Sequence, residues 1–209
     1  MLKNYLKSAF SFWKHNKTFA LINAMSLSVA LAVSFIIMLY VINELSYNRC
    51  HTNYKRIFRV LNYYVDYKKS YTETPFILAS ALKSEYPQVE HSISVRSAFG
   101  IRIQVDDKLF TVSDAVFTDS EVFDIFTLPI VHKVQQGDLL EDKNSIVISQ
   151  ELAKKIFPGQ DPIGKKIIVN SSVGDLNFFV QAVFKDIPPN STFKAQCLLS
   201  NKLYVENLN

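Results

Sequence analysis

Residues 18–43 read TFALINAMSLSVALAVSFIIMLYVIN, a stretch without a single charge. A helix needs about 20 mainly apolar residues to cross the hydrocarbon core of a bilayer, and this run is longer. An uncharged run of this length is rare in the core of a soluble domain. The apolar part of a cleaved leader spans only about 7–15 residues and gives way to small residues at the cut. Here the run continues into the bulky sequence MLYVINEL. The stretch therefore reads as an uncleaved transmembrane helix. It divides the chain into a leader at 1–17, the membrane helix at 18–43, and a soluble domain at 44–209 with room for two subdomains.

Outward from this helix, the two flanks differ in charge. Lys3, Lys7, Lys14 and Lys17 precede it with no acidic residue among them. That bias places the N-terminus in the cytoplasm and the large domain on the far side. Arg49, Lys55, Arg56 and Arg59 weaken the bias without reversing it, because long domains translocate largely regardless of charge. In the leader, Leu2, Leu6, Phe10 and Trp13 recur at helical spacing with the lysines elsewhere on the wheel. This predicts an amphipathic helix lying in the headgroup layer. Within the membrane run, Ala24, Ser28 and Ala32 lie four apart, as do Ser26, Ala30 and Ser34. Small residues at this spacing let a second helix approach closely, or are simply tolerated in lipid; the sequence leaves both open.

The soluble part reads as α+β. A helical stalk is expected over Glu44–His51 and a strand over Arg56–Tyr67, which is rich in aromatic and β-branched residues. Thr74-Pro75 should open a helix bearing Leu78, Leu82 and Tyr86 on one face and ending at Pro87. Strands are predicted at Ser92–Ser97, Ile101–Val105 and Leu109–Val112. A short helix at Ser120–Phe126 should turn Val122, Phe123 and Phe126 inward. A buried strand follows at Ser145–Ile148. Ser149 caps a helix with Leu152, Ala153 and Ile156 on its core face, and Pro158-Gly159 stops it. Asp161-Pro162-Ile163-Gly164 fits a type I turn. Lys166–Asn170 and Phe178–Phe184 pair as a hairpin, and Lys194–Leu199 forms the last strand.

The residues offer little chemistry. The net charge is +4, and beyond residue 44 basic and acidic residues are interspersed, so no nucleic-acid face is expected. There is no G-x-x-x-x-G-K-[ST] loop; Gly164-Lys165 sits before a strand, the wrong context for one. His15, His51, His91 and His132 show no metal-ligand spacing. Cys50 and His51 are adjacent, and neighbours in sequence do not share a helix face. No G-x-S-x-G occurs, and Asp119, Glu121 and Asp124 read as a solvated turn. Cys50 and Cys197 read as two unpaired thiols, although an oxidising compartment permits a bridge. No catalytic residue, cofactor or metal is expected, and the chain does not read as an enzyme.

A set of short motifs adds a family. Asn4-Tyr5-Leu6-Lys7, Asn16-Lys17-Thr18-Phe19, Leu21-Ile22-Asn23 and Leu27-Ser28 open it. Glu44-Leu45-Ser46-Tyr47, His51, Asn53 and Arg56-Ile57-Phe58-Arg59-Val60 follow. Phe123-Asp124-Ile125-Phe126, Gly137-Asp138 and Ser145-Ile146-Val147-Ile148-Ser149 mark the middle. Ala153-Lys154-Lys155-Ile156-Phe157, Asp161-Pro162-Ile163-Gly164-Lys165, Lys185-Asp186-Ile187-Pro188 and Asn190-Ser191 close it. In order and spacing these resemble the N-terminal part of MacB/FtsX-type ABC transporter permeases, meaning the first membrane helix and the MacB-like periplasmic core domain. Asn48, Cys50 and Thr192 depart from the usual residues of that pattern. The resemblance implies structural roles for Glu44, Tyr47, Asp161, Pro162, Gly164, Asp186, Pro188 and Asn190. It implies a non-catalytic permease component of the bacterial inner membrane whose periplasmic domain couples ATPase-driven motion to export or to a periplasmic partner. The partners implied are a cytoplasmic ABC ATPase, remaining permease helices or a second permease copy, and a periplasmic adaptor or substrate. Family permeases continue into further membrane helices, so this chain is expected to be incomplete. The alternative is a single-pass anchored periplasmic sensor or binding domain.

Overall fold

The computed structural model describes residues 2–98, 100–133, 137–171 and 174–202. The chain forms two compact units, divided between Tyr47 and Asn48. In the first unit, helix α1 spans Leu2–His15 and α2 spans Lys17–Leu45, with Asn16 non-helical between them. Phe12 and Phe19 meet edge to face across the break, with ring centroids 6.2 Å apart. The leader's expected apolar face falls mostly on side chains (Leu2, Leu6, Phe10) outside the described residues; Trp13 is exposed.

Helix α2 contains the whole predicted membrane span. Its 29 residues extend about 43 Å at 1.5 Å per residue, more than the ~30 Å hydrocarbon core. None of it is buried in protein, and it is long and apolar enough to cross a membrane. Its serines satisfy themselves. Ser26, Ser28 and Ser34 each donate to the carbonyl four residues back, at 2.9, 2.7 and 2.8 Å. No hydroxyl of these three is left unpaired for lipid to face.

The expected stalk does not form. Helix α2 stops at Leu45, and a series of turns follows with Asn48 at φ +60°. Asparagine tolerates this left-handed conformation better than most residues. Its amide donates to the Asn190 carbonyl at 2.8 Å, which removes it from any helical ladder.

The second unit starts with a hairpin, β1 (Asn62–Tyr64) and β2 (Lys69–Tyr71), and helix α3 (Leu78–Glu85). Four strands come next: β3 (Arg96–Ala98), β4 (Ile101–Val105), β5 (Lys108–Val112) and β6 (Ala115–Thr118). Then come α4 (Val122–Ile125), β7 (Ile130–Lys133), β8 (Ser145–Ser149) and α5 (Gln150–Ile156). Strands β9 (Lys166–Ser171), β10 (Gly174–Phe184) and β11 (Cys197–Ser200) complete it.

Among the described residues, nine strands make one mixed sheet in the order β3-β6-β11-β8-β10-β9-β4-β5, with β7 also on β10. Strand β10 is the spine. Its first half pairs antiparallel with β9, and its second half pairs parallel with β8 and antiparallel with β7. Both faces of the sheet are covered, which is why β8 (SIVIS) is buried at every position and shows no polar alternation. Ile146, Ile148, Phe178, Val180 and Leu199 join one core with α5. Val147, Ala182, Phe184 and Leu198 join the other with α4. The register of β10 slips between Val180 and Ala182. One extra residue reverses the alternation, so Phe178 and Val180 face the first core while Ala182 and Phe184 face the second.

Several expected boundaries are corrected. Of Arg56–Tyr67 only β1 forms a ladder. Helix α3 begins three residues after Pro75, because Pro75–Leu78 closes a single tight turn (Leu78 N–H to Pro75 carbonyl, 3.0 Å). The Ser92–Ser97 strand shrinks to β3 because the Ser94 backbone is bonded to side chains, Asp119 at 3.1 Å and Asn201 at 3.1 Å. Strands β2, β6 and β7 escaped the sequence reading. The final strand starts at Cys197 instead of Lys194. The expected Asp161–Gly164 turn is shifted by one residue: Lys165 N–H bonds the Pro162 carbonyl at 3.1 Å. Gly164 then takes the third position at φ +73°, which a type II turn requires.

Ser149 caps α5 as expected, its side chain accepting from the Leu152 amide at 3.2 Å. Ser149→Ala is expected to lower stability by about 1 kcal/mol, read as a shifted urea midpoint with unchanged slope.

Candidate functional site

From Asn48 onward, the chain is fastened to two distant segments of the domain. The Asn48 side chain donates to Thr192 Oγ1 at 2.8 Å and accepts from the Thr192 amide at 2.7 Å. With the Asn48 amide on the Asn190 carbonyl, this makes three bonds from one residue. The receiving loop is shaped by Pro188-Pro189, which follow the end of β10, and by the Ser191 amide on the Pro188 carbonyl at 3.1 Å. A proline lacks a ladder donor, so the chain must leave the sheet there. Four residues along, the Thr52 amide donates to Thr127 Oγ1 at 2.8 Å, and that hydroxyl donates to Thr52 Oγ1 at 3.0 Å.

Between these ties sits His51, only 2% exposed. Ser191 Oγ donates to the Phe193 carbonyl at 2.9 Å, so it accepts from His51 Nε2 at 3.0 Å. The proton therefore lies on Nε2, and Nδ1 is a buried acceptor without a partner among the described residues. The ring meets Phe126 edge-on at 5.0 Å, and Phe126 stacks on Phe193 at 4.2 Å. Burial pushes the His51 pKa below its ordinary 6.5, because an imidazolium here would lose its hydration.

The other expected residues lie in separate places. Asp186 Oδ1 accepts the Glu151 amide at 2.8 Å, in the first turn of α5. Asp161 Oδ1 accepts the Ile163 amide at 3.0 Å, and the Gly164 amide bonds the Val180 carbonyl at 2.8 Å. The Asp161-Pro162-Gly164 turn thus seals the point where β10 loses β9. Glu44 and Tyr47 belong to the first unit, where the Tyr47 amide bonds the Glu44 carbonyl at 3.2 Å. Ala24, Ser28 and Ala32 lie exposed on α2. Cys50 and Cys197 are both free, and burial pushes the Cys197 thiol up to about 12.

An open groove of about 410 Å³ lies along α3, lined in part by Lys83, Ser94, Asp119 and Glu121. Lys83 pairs with Glu121 at 2.5 Å, and His91 bonds the same carboxylate at 3.1 Å. Burial pushes the Glu121 pKa up, but the hydrogen bonds and charges of Lys83 and His91 outweigh it and hold it below the ordinary value. Among the described residues no three His, Cys, Asp or Glu are placed to hold a metal ion.

Sequence reasoning quoted His51, Asn190 and Ser191 as motif residues but could not join them. Thr52, Thr127 and Phe193 it missed altogether. Nothing in one sequence signals a bond across so many intervening residues.

The model of the MacB-like periplasmic core domain family matches residues 20–206. Comparison with curated proteins gave no match. Among solved structures, a domain of a permease protein from Porphyromonas gingivalis is similar over 65% of this chain, at 24% identity and a TM-score of 0.56. The periplasmic region of MacB from Actinobacillus actinomycetemcomitans is similar over 70%, at 19% identity and a TM-score of 0.52. The chain spans only 59% and 64% of those two solved chains. At these identities the likeness is one of fold, and it agrees with the family match over most of the sequence. The chain therefore belongs to the MacB-like periplasmic core domain family, the periplasmic domains of ABC-type transporter permeases.

Proposed function

We propose that this chain is the N-terminal part of a bacterial inner-membrane ABC permease, a non-catalytic component that passes motion from its membrane helix to its periplasmic domain. In this reading residues 1–17 are cytoplasmic, 18–43 cross the membrane, and 44–209 lie in the periplasm. A cytoplasmic ATPase supplies the motion, further permease helices or a second permease copy complete the membrane part, and an adaptor or cargo receives the stroke. The observation that carries the reading is the set of ties at Asn48, His51 and Thr52. They begin three residues after α2 ends, at Leu45. A displacement of the helix end loads Asn48 first, and its bonds hand that load to Asn190–Thr192, the loop that leads into β11. A flexible tether, adequate for a sensor, needs no such fastening.

The Ala24, Ser28 and Ala32 face of α2 is the proposed seat of a neighbouring helix. Changing all three to Leu should leave insertion and domain stability intact while reducing recovery of the ATPase in detergent pull-downs at least about tenfold, since backbones could no longer approach closely. Undiminished recovery removes this face from the assembly. If the unaltered chain recovers no ATPase and an N-terminal fluorescent fusion reports the wrong side of the membrane, the permease reading fails as well.

A further inference from the structure

We infer that His51 is an acid-sensitive latch, whose protonation frees residues 48–52 from the loop at 190–193 and from Thr127 while the sheet stays folded. It regulates the ties described above, and it rests on the permease reading for what those ties transmit. The ring touches Ser191 through Nε2 and Phe126 edge-on. The ties land on the immediate sequence neighbours of these two residues. Asn48 is bonded to Asn190 and Thr192, which flank Ser191. Thr52 is bonded to Thr127, which follows Phe126. His51 also closes the turn that carries both ties. Its amide donates to the Asn48 carbonyl at 3.2 Å, and its carbonyl accepts the Tyr54 amide at 3.1 Å. A ring that leaves its seat therefore disturbs every tie at once.

The seat accepts only a neutral ring. The Ser191 hydroxyl gives its own proton to the Phe193 carbonyl, which leaves it an acceptor for Nε2. Protonation puts a second N–H on Nδ1, which is buried and meets no acceptor among the described residues. A buried charge with an unsatisfied donor is costly, and the ring escapes that cost by turning into water. The charged and titratable groups on the elements around it are Arg49, Cys50, Tyr54 and Lys55 on its own turn, Glu121 and Asp124 at α4, and Lys194 after the loop. None of them contributes to the lowered pKa, whose cause is burial. His91 pairs with Glu121 and Asp124, a contact that protonation of His91 strengthens, so it does not drive opening. Opening is local because residues 48–54 belong to no strand and to neither core. Segments held by a few side-chain bonds open at lower free energy than core strands do.

Hydrogen–deuterium exchange on residues 1–209 in nanodiscs tests this, each amide rate being divided by its intrinsic rate at that pH. Between pH 7.5 and 5.0 the protection of Asn48, Thr52 and Thr192 should fall about tenfold, the change that one proton per opening gives over one pH unit. Amides of β8 and β10 should keep their protection. His51→Gln, neutral yet able to donate to Ser191, should hold the three amides protected across the whole range. In the parent, the 15N signals of the His51 ring should shift with the same midpoint as the loss of protection. Protection that ignores pH overturns the inference. So does a fall shared by β8 and β10, which is global unfolding, and so does a fall that persists in His51→Gln. Should that variant fail to fold, a ring midpoint apart from the exchange midpoint overturns the inference instead. If the ties open in acid but the chain recovers no ATPase and its N-terminus reports the wrong side of the membrane, the latch stands and the permease reading fails. If the ATPase is recovered and the ties stay shut at pH 5.0, the latch fails alone.

Discussion

Phe178→Ala should destabilise the domain by about 3–5 kcal/mol, the usual cost of emptying a buried Phe site. Phe178 is fully buried and stands on β10 opposite Ile167, within the core shared with α5. That strand pairs with β7, β8 and β9, so its neighbours cannot collapse into the space without moving the ladders. Domains are stable by only about 5–15 kcal/mol, so this one change removes a large fraction. The control is the adjacent residue. Phe179 is 49% exposed, and Phe179→Ala should cost less than about 1 kcal/mol. Urea unfolding of the two variants side by side checks both numbers. Equal losses would mean that β10 does not alternate as described.

His51→Ala is expected to cost about 3 kcal/mol, from the lost hydrogen bond to Ser191 and the hole left beside Phe126. The same residue sets a pH dependence. Its pKa is lowered on folding, by burial, so between that lowered value and 6.5 the unfolded chain binds more protons than the folded one. Stability is then full above about pH 6.5 and declines as the pH falls through the folded pKa. Among the described residues burial alone sets this shift, with no charged neighbour contributing to it. Protonation would also put a second buried N–H at Nδ1, where no acceptor waits. Melting temperatures of the parent and His51→Gln between pH 7.5 and 5 should diverge, the parent losing more on the acid side. Parallel curves would remove His51 as the cause.

What could be read from the sequence was whatever depends on neighbours along the chain. Helix α2 declared itself through an uncharged run long enough to cross a bilayer. The cap at Ser149, the hairpin of β9 and β10, and the stop at Pro87 are likewise local. Each rests on a turn residue, a donor or a period that a few residues contain. The family motifs added the fold because their order was complete, although no one of them accounts for its own function.

The parts that failed share one physical cause. Strand β6 lies parallel to β11, with Ala115 opposite Cys197, and no local pattern encodes a partner so far along the chain. Strand β8 is buried on both faces, so its pattern could not tell which core each side chain joins. The segment Arg56–Leu61 has every propensity for a strand but lacks a partner among the described residues, and propensity without pairing makes no ladder. The ties at Asn48, His51 and Thr52 exist only because the fold brings residues 127 and 190–193 to the start of the domain. Hydrophobicity and turn chemistry act over short stretches of chain and were legible at once. Hydrogen bonds between remote segments depend on where the finished sheet puts them, and only the tertiary structure could decide that.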